Sequence, residues 1–222
     1  MALSKSALKL IAKEVVPAMP KTGTACILGF PRLSNSREEL SEIFGVSLDD
    51  ASFAAILKGI GFGDQVVLDV SDYEKPDMVA DLNFPLPDNF GKYDLVVDNG
   101  TIEHVFNIGQ AMINCASLCA VGGVIFHNNP ANWFNHGFYN LSPAAYFDFY
   151  QANGFEVRVF LRDCGNGAYR ELQYKPKVTK ILQQKRYVIH AVAKRIEEQP
   201  LKFPMQARYA EHIWQGSNVA QS

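Results

Sequence analysis

The sequence lacks the features of membrane-spanning and nucleic-acid-binding proteins. No apolar run approaches the roughly 18 residues that cross a bilayer. The N-terminal stretch MALSKSALKLIAKEVVPAMP has charged residues among its apolar positions, unlike a signal peptide. Lysine and arginine, 21 of 222 residues, form no block, and the formal net charge is −2. Because phosphate binding requires a concentrated basic surface, nucleic acid is disfavoured as the main partner, and so is a membrane.

Cysteine is scarce and shows no metal-binding spacing. Of the four cysteines, Cys26 and Cys164 stand alone, and Cys115 and Cys119 are four apart in a helical pattern. Such a pair, without a second pair or a histidine cluster, indicates core packing rather than a zinc site. The sequence therefore predicts a reduced, cytoplasmic protein.

The composition is that of a globular chain, with 48% hydrophobic and 20% charged residues. A length of 222 residues suits one α/β domain. We expect a single domain with an N-terminal helix at 1–23, a core at 24–193 and a C-terminal tail at 194–222. The tail, with Tyr209 and Trp214, could cover the core or a partner in a homodimer.

Apolar runs typical of buried strands alternate with helical patterns. The strand-like runs lie at 24–30, 65–70, within 77–87, at 93–99, 123–130, 155–163 and 186–196. The predicted helices are an amphipathic one that ends near Pro17, then 35–45, 47–62 with Ser47 or Asp49 as its cap, 107–121 ended by Gly122 and Gly123, and 142–153 capped by Ser142. This order predicts a Rossmann-like, doubly wound, seven-stranded and mostly parallel sheet, with the last two strands antiparallel.

Polar or small residues follow five of the predicted strands. They are Gly29, Asp69, the stretches 81–83 and 98–100, and the stretch 127–130. Open α/β sheets bind ligands at the carboxyl ends of their strands, where the strand order reverses. The sequence therefore predicts a single ligand site at this edge of the sheet.

Four segments resemble class I S-adenosylmethionine-dependent methyltransferases. They read VVLDVSDYEKPDMVADLNFPLP, YDLVVDNGTIEHVFN, AVGGVIFHNNP and NHGFYNLSP, and the resemblance extends over about 24–193. More narrowly, the segments resemble a bacterial group of these enzymes that is often linked to polysaccharide or specialised small-molecule biosynthesis. The implied function is transfer of a methyl group from S-adenosylmethionine to a small oxygen or nitrogen nucleophile. The loop HNNPANWFNHGFY, rich in asparagine and aromatic residues, suits a polar acceptor such as a sugar.

The resemblance implies cofactor contacts at the first two strand ends. Gly29 would face the methionine moiety of S-adenosylmethionine. Asp69 would accept hydrogen bonds from the ribose hydroxyls, and Asp72 in the following loop competes for that role. The segment ILGFPRLSN departs from the family pattern because it has one glycine instead of several. The link between Asp69 and Asp81 also leaves no room for the usual helix.

Further implied contacts come from the next two strand ends. Asp81 would bind the adenine amino group, and Leu82 would pack against the ring. Asn99 and Gly100 would line the floor beneath the sulfonium. An isolated aspartate at these positions would be interpreted as a turn former, but successive strand ends beside Gly29 favour cofactor binding.

Two histidines are candidates for the proton acceptor. His136 is favoured because NHGFYNLSP joins the fifth strand to a helix and should overhang the methyl group, and imidazole titrates near working pH. His104 is the alternative, although a buried histidine bonded to a carboxylate is the more frequent arrangement. Glu103 could cap a helix or act directly. No metal is strictly needed. A Mg²⁺ held by Glu103 and His104 with nearby carboxylates stays open, and a catecholic acceptor would favour it, although imidazole is a poor ligand for so hard an ion.

Other functions are not all excluded by the sequence. An NAD-dependent oxidoreductase is disfavoured because no G-x-G-x-x-G follows the first strand. A nucleic-acid methyltransferase is disfavoured by charge and by DNGT in place of an N/D-P-P-Y/F motif. A non-catalytic partner subunit that has lost cofactor binding stays open, because of the single glycine in ILGFPRLSN.

Overall fold

The computed structural model describes residues 2–174 and 185–209. The helices are α1 Lys5–Leu10, α2 Arg37–Phe44, α3 Phe53–Gly59, α4 Ile108–Leu118 and α5 Pro143–Ala152. The strands are β1 Ala2–Leu3, β2 Thr24–Leu28, β3 Arg32–Leu33, β4 Asp64–Asp69, β5 Met78–Val79, β6 Tyr93–Asp98, β7 Cys119–Pro130, β8 Phe155–Asp163, β9 Tyr169–Leu172 and β10 Tyr187–Arg195.

Within these residues the main sheet has eight strands in the order β5-β4-β2-β6-β7-β10-β8-β9. The first five run parallel, and β10, β8 and β9 each pair antiparallel to their neighbours. The predicted doubly wound, mostly parallel architecture with a late antiparallel pair is confirmed. The strand count differs from the predicted seven because the short β9 extends the edge beside β8, in a stretch whose polar residues gave no strand pattern. Strand order reverses between β2 and β6, which places the ligand edge there.

The central strands are buried on both faces. Side chains of β2 alternate, so that Cys26 and Leu28 pack with α4 and α5 on one face. Ala25 and Ile27 pack with the N-terminal helix, α2 and α3 on the other face. This two-sided burial explains why the strands read as continuous apolar runs. It also confirms core packing for Cys115 and Cys119, which are both fully buried and free.

Several helix boundaries follow their capping residues. Ser36 caps α2 in a reciprocal capping box with Glu39, and Ser142 caps α5 with Pro143 in its first turn, as predicted. The prediction that Ser47 or Asp49 caps the next helix was wrong. Ser52 caps α3 instead, its hydroxyl accepting from the backbone N–H of Ala55 at 2.9 Å. Because serine and aspartate are both good N-caps, the four candidates within residues 47–52 could not be ranked by sequence.

Helix α4 ends at Leu118, four residues earlier than the predicted stop. The chain from Cys119 onward is extended and pairs with Tyr93 of β6, so a strand replaces the last predicted helical turn. Gly122 has a φ of +83°. A Cβ on Gly123 would lie 2.9–3.0 Å from three backbone oxygens. The two glycines therefore permit the close pairing of β7 with β6, and they do not terminate the helix.

The N-terminal segment packs as expected for an amphipathic helix. Leu8, Ile11 and Val15 are buried, and the helix continues from α1 through a π-helical turn to a 3-10 turn that contains Pro17. None of the helices within 2–174 and 185–209 is long and apolar enough to span a bilayer. Trp214 of the predicted tail lies outside the described residues.

Candidate functional site

A cavity of about 290 Å³ lies at the carboxyl edge of the sheet. The ends of β2, β4, β5 and β6 all contribute to its lining. Of the residues predicted to contact the cofactor, five line it: Gly29, Asp69, Asp81, Leu82 and Gly100. The convergence of separate strand ends on one place is thus present in the structure for four of the five ends.

Gly29 and Asp69 lie side by side in this cavity. Gly29 has a φ of +72°, and its N–H donates to the carbonyl of Leu68 at 2.8 Å. A Cβ at Gly29 would lie 3.7 Å from a carboxylate oxygen of Asp69. The other Asp69 oxygen accepts from the N–H of Ser71 at 3.2 Å. The missing side chain therefore leaves open space directly beside a carboxylate.

Asp81 and Leu82 form the opposite part of the lining. Asp81 is exposed, and one of its oxygens accepts from the backbone and the side chain of Asn83, at 2.9 and 2.7 Å. Leu82 is buried and packs in the core beneath. Residues 70–77 form turns and bends without a helix, as the short link predicts. An exposed carboxylate and a buried apolar side chain thus lie next to each other in the cavity lining.

Asn99 lies below the cavity rather than in its lining. Its side chain is buried, and its amide oxygen accepts from the side chain of Asn128 at 2.6 Å. The neighbouring Gly100 is in the lining, with a φ of +79°. Both residues at this strand end are buried, but Gly100 contributes to the cavity lining and Asn99 does not.

A buried polar network lies beneath the same edge. The carboxylate of Asp98 accepts from the N–H groups of Thr101 and Ile102, at 2.9 and 3.2 Å, and lies 2.7 Å from Nδ1 of His127. His127 Nε2 in turn lies 2.5 Å from the hydroxyl of Tyr150. Burial alone would raise the pKa of Asp98, but the hydrogen bonds from its donors outweigh it and lower that pKa. An ionised Asp98 fixes the proton of His127 on Nδ1.

Asn129 connects this network to Glu103. Its amide nitrogen donates to Asp98 and to Glu103, both at 2.9 Å, and its oxygen accepts from the hydroxyl of Tyr146 at 2.5 Å. Burial, reinforced by the negative charge of Asp98, raises the pKa of Glu103 to about 7. The polar residues 127–129, expected after the strand and at the ligand edge, therefore lie within the buried end of β7 and hydrogen-bond to groups nearer the cavity.

Glu103, His104 and His136 meet at the rim of the cavity. Glu103 Oε1 lies 3.5 Å from Nε2 of His136 and 3.9 Å from Nε2 of His104. Glu103 caps no helix, since the N-cap of α4 is Asn107. His104 is exposed and lines the cavity, and its ring centroid is 5.3 Å from that of His136. Burial lowers the pKa of both imidazoles, and for His136 the neighbouring His104 lowers it further.

The loop that carries His136 is held against Glu103. The N–H of Tyr139 donates to the Glu103 carbonyl at 3.3 Å. A Cβ on Gly137 would lie 2.8 Å from that same carbonyl oxygen, so only glycine permits this approach. The Trp133 ring contacts His136 edge-on at 5.0 Å between centroids. His136 is therefore placed by packing rather than left on a free loop.

Aromatic side chains surround this rim. Phe134 is 93% exposed, and Phe106 and Phe138 are also exposed, in edge-to-face contact at 5.5 Å. So many exposed large rings suggest a contact surface for a ligand. Thr101 also lines the cavity and was missed by sequence reasoning, whereas Asn83 was predicted at this edge within the stretch 81–83 but was given no role. The polar stretches after β5 and β6 held the only signal for them.

Comparisons with known proteins yielded structural matches alone. No family model matches the sequence, and no curated protein matches it either. A Bacillus halodurans protein provisionally named a methyltransferase matches with 9% identity, 84% of this chain and 98% of that chain covered, and a TM-score of 0.47. An S-adenosylmethionine-dependent methyltransferase of Clostridium acetobutylicum matches with 13% identity, coverages of 87% and 92%, and a TM-score of 0.41. A sugar N-methyltransferase of Streptoalloteichus matches with 15% identity, coverages of 86% and 68%, and a TM-score of 0.35.

Proposed function

We propose that this protein is an S-adenosylmethionine-dependent methyltransferase that modifies a small polar acceptor. The observation that carries the proposal is the cavity at the strand-order reversal, where Gly29, Asp69 and Asp81 come together from three strands. An acceptor-only carboxylate beside open space suits the hydroxyls of a ribose. A second exposed carboxylate across the cavity suits an exocyclic amino group. The arrangement thus supplies polar partners for both halves of an adenosyl group.

The methionine end of the cofactor would lie toward Gly29 and Gly100. Both residues have positive φ and lack a side chain at the cavity surface, so the backbone can approach the ligand closely. Asn99 would support this part of the cavity through its backbone, with its side chain held by the hydrogen bond from Asn128. The segment after β2 has one glycine where the family has several. In this chain the Asp69 carboxylate lies next to Gly29 in the cavity, so the one glycine is enough for the cofactor to approach the backbone.

The acceptor would bind between the cofactor and the aromatic rim. Phe106, Trp133 and Phe138 offer apolar faces on which a sugar ring or another small metabolite can stack. His104 lines the cavity, and the ring of His136 lies 5.3 Å from it between centroids, which supports a role for both near the methyl group. Either imidazole could accept the proton that is released as the new bond forms, while the protein supplies proximity and orientation for the in-line transfer.

Calorimetric titration of the purified chain with S-adenosylmethionine and S-adenosylhomocysteine tests the proposal. We expect micromolar binding of both. Asp69→Asn should weaken binding, while Asp88→Asn, an exposed acid outside the cavity lining, should leave it unchanged. If neither ligand binds at millimolar concentration, the protein is not a methyltransferase. A non-catalytic partner subunit on the same fold would then be the better assignment.

A further inference from the structure

The rim of the cavity holds a set of side chains with metal-ligand chemistry. Glu103, His104 and His136 each present one ligand atom, and these atoms all lie within 4.8 Å of one another. A tetrahedral zinc site, with bonds of about 2.0–2.1 Å, separates its ligands by about 3.3 Å. The observed 3.5 and 3.9 Å separations from Glu103 Oε1 are longer than this, so the three side chains would move closer together as they bind an ion.

The carboxylate of Glu103 supplies an independent sign of a ligand. Its side chain is fully buried, and Oε1 has no hydrogen-bond partner within the described residues. Nε2 of His136, the atom that faces it, also lacks one there. Burying a carboxylate oxygen without a partner is costly, so a cation between these two atoms would satisfy both of them.

The second oxygen of the same carboxylate is fixed from behind. Asn129 donates to Oε2 of Glu103 and is itself held by Tyr146 and Asp98. Metal-binding carboxylates are commonly oriented by such outer hydrogen bonds. On the other side, Gly137 packs closely against Glu103 and so places the neighbouring His136 beside the carboxylate. Both Glu103 and His136 are thus held in position by surrounding contacts.

We infer that Glu103, His104 and His136 form a binding site for a first-row divalent transition-metal ion, with Zn²⁺ as its first occupant to test. Two imidazoles and one carboxylate match the preferences of Zn²⁺ and Fe²⁺, whereas Mg²⁺ prefers oxygen ligands in octahedral geometry. Three protein ligands leave coordination positions open. Because His104 lines the cavity, those positions face the place where a small ligand would bind.

The inference stands apart from the methyltransferase proposal, since it concerns metal binding alone. It does change the role of one residue. While an ion occupies Nε2 of His136, that atom cannot accept a proton. A metal requirement for the transfer would therefore replace the histidine base by activation of an acceptor held on the ion.

The test is a titration of the chelator-treated full chain with Zn²⁺ by calorimetry, and with Co²⁺ by visible absorption. We expect one equivalent of each to bind, with no heat from Mg²⁺ at the same concentration. His104→Ala and His136→Ala should each weaken Zn²⁺ binding at least about 100-fold, because each removes one of three ligands. Glu103→Gln should weaken it more than tenfold, as an amide is a neutral ligand.

Matched controls separate this site from adventitious binding and from misfolding. Cys164→Ser removes the one described cysteine that is not fully buried and should leave Zn²⁺ affinity unchanged. His104 is exposed, so its variant should keep the metal-free thermal midpoint of the parent. If the wild type binds no Zn²⁺ or Co²⁺ stoichiometrically, or if folded His104→Ala and His136→Ala both bind as the wild type does, the site does not exist. S-adenosylhomocysteine binding, measured on the same samples, reports the cofactor site independently.

Discussion

Two sets of polar side chains lie at the carboxyl edge of one sheet, and they differ in what they contact. Among the residues that the structure describes, the carboxylates of Asp69 and Asp81 bond only within their own turns, and both residues line the cavity. Asp98 and His127 are fully buried and bond to each other. Ligand binding requires groups with hydrogen-bonding capacity to spare, whereas a buried charge must use that capacity within the protein. We therefore expect the open set to control binding and turnover and the buried set to control stability.

The largest effect on turnover is expected from His136, which lies at the rim beside the open set. His136→Ala should reduce methyl transfer by about 10²–10⁴ while leaving S-adenosylmethionine affinity nearly intact, because in the proposed reaction its imidazole acts on the acceptor rather than on the cofactor. The measurement is S-adenosylhomocysteine release with whichever amino or hydroxyl sugar the wild type methylates. The loss is expected whether His136 accepts a proton or holds a metal, and the dependence of the wild type on Zn²⁺ separates these roles.

His104→Ala is the matched variant for this experiment. If His136→Ala retains wild-type turnover and His104→Ala loses it, the proton acceptor lies in the turn after β6. Should neither change turnover, the enzyme acts by positioning alone on an acceptor that is already deprotonated.

The largest effect expected from the buried set is on stability. Asp98→Ala leaves its N–H donors and the His127 ring without their acceptor, and breaking a buried ionic group of this kind typically costs about 3–5 kcal/mol. Urea unfolding measures the free energy directly. Asp69→Ala, from the open set, should lose less than about 1 kcal/mol. Similar losses in the two variants would contradict the division between the sets.

The sequence predicted which strand ends are polar, but not which of them face the ligand. Asp69, Asp98 and His127 all follow apolar runs, and their local patterns are alike. Whether each is buried depends on what packs over it, and α5 covers His127 through Tyr150. That contact joins residues 23 positions apart, so no local pattern shows it.

Local signals succeeded where local physics decides the outcome. Ser142 followed by Pro143 gave the start of α5, and alternating apolar residues gave the antiparallel pair β8 and β10. They failed at α4, where pairing with β6 converts a helical pattern after Leu118 into strand. The cluster of Glu103, His104 and His136 could not be predicted for the same reason. Glu103 and His136 are 33 residues apart in the sequence, and the close packing of Gly137 brings them together.

A smaller effect is expected when an open carboxylate is removed. Asp81→Ala should weaken S-adenosylhomocysteine binding by about 1–3 kcal/mol, the cost of one hydrogen bond to a polar ligand group. Calorimetry measures the change, with Asp88→Ala as the control from outside the cavity lining. An unchanged affinity in a folded Asp81→Ala variant would remove the adenine contact from the proposal and leave Asp69 as the main polar contact.

The smallest effect concerns another buried polar group, His190, which lies on β10 and pairs with Asn128 of β7. Its Nε2 accepts from Nε of Arg162 at 2.9 Å, and its ring stacks on Phe126. Burial, and then the charge of Arg162, lowers the pKa of His190 well below its ordinary value. In the unfolded chain the imidazole has a pKa of about 6.5. Below that pH the unfolded state therefore binds a proton that His190 in the folded protein does not.

The sign of the pH dependence follows from that difference. Stability from His190 is fully present above about pH 6.5 and is lost as pH falls, by up to about 1.4 kcal/mol per unit. His190→Gln keeps an oxygen to accept from Arg162 but does not titrate. The difference in unfolding free energy between wild type and variant, measured by urea at several pH values from about 5 to 7.5, should therefore shrink toward acid. Taking this difference also cancels the opposite slope from Glu103, whose raised pKa makes the fold less stable as pH rises. A difference that stays constant over the whole range would show that His190 is protonated in the folded protein as readily as in the unfolded chain.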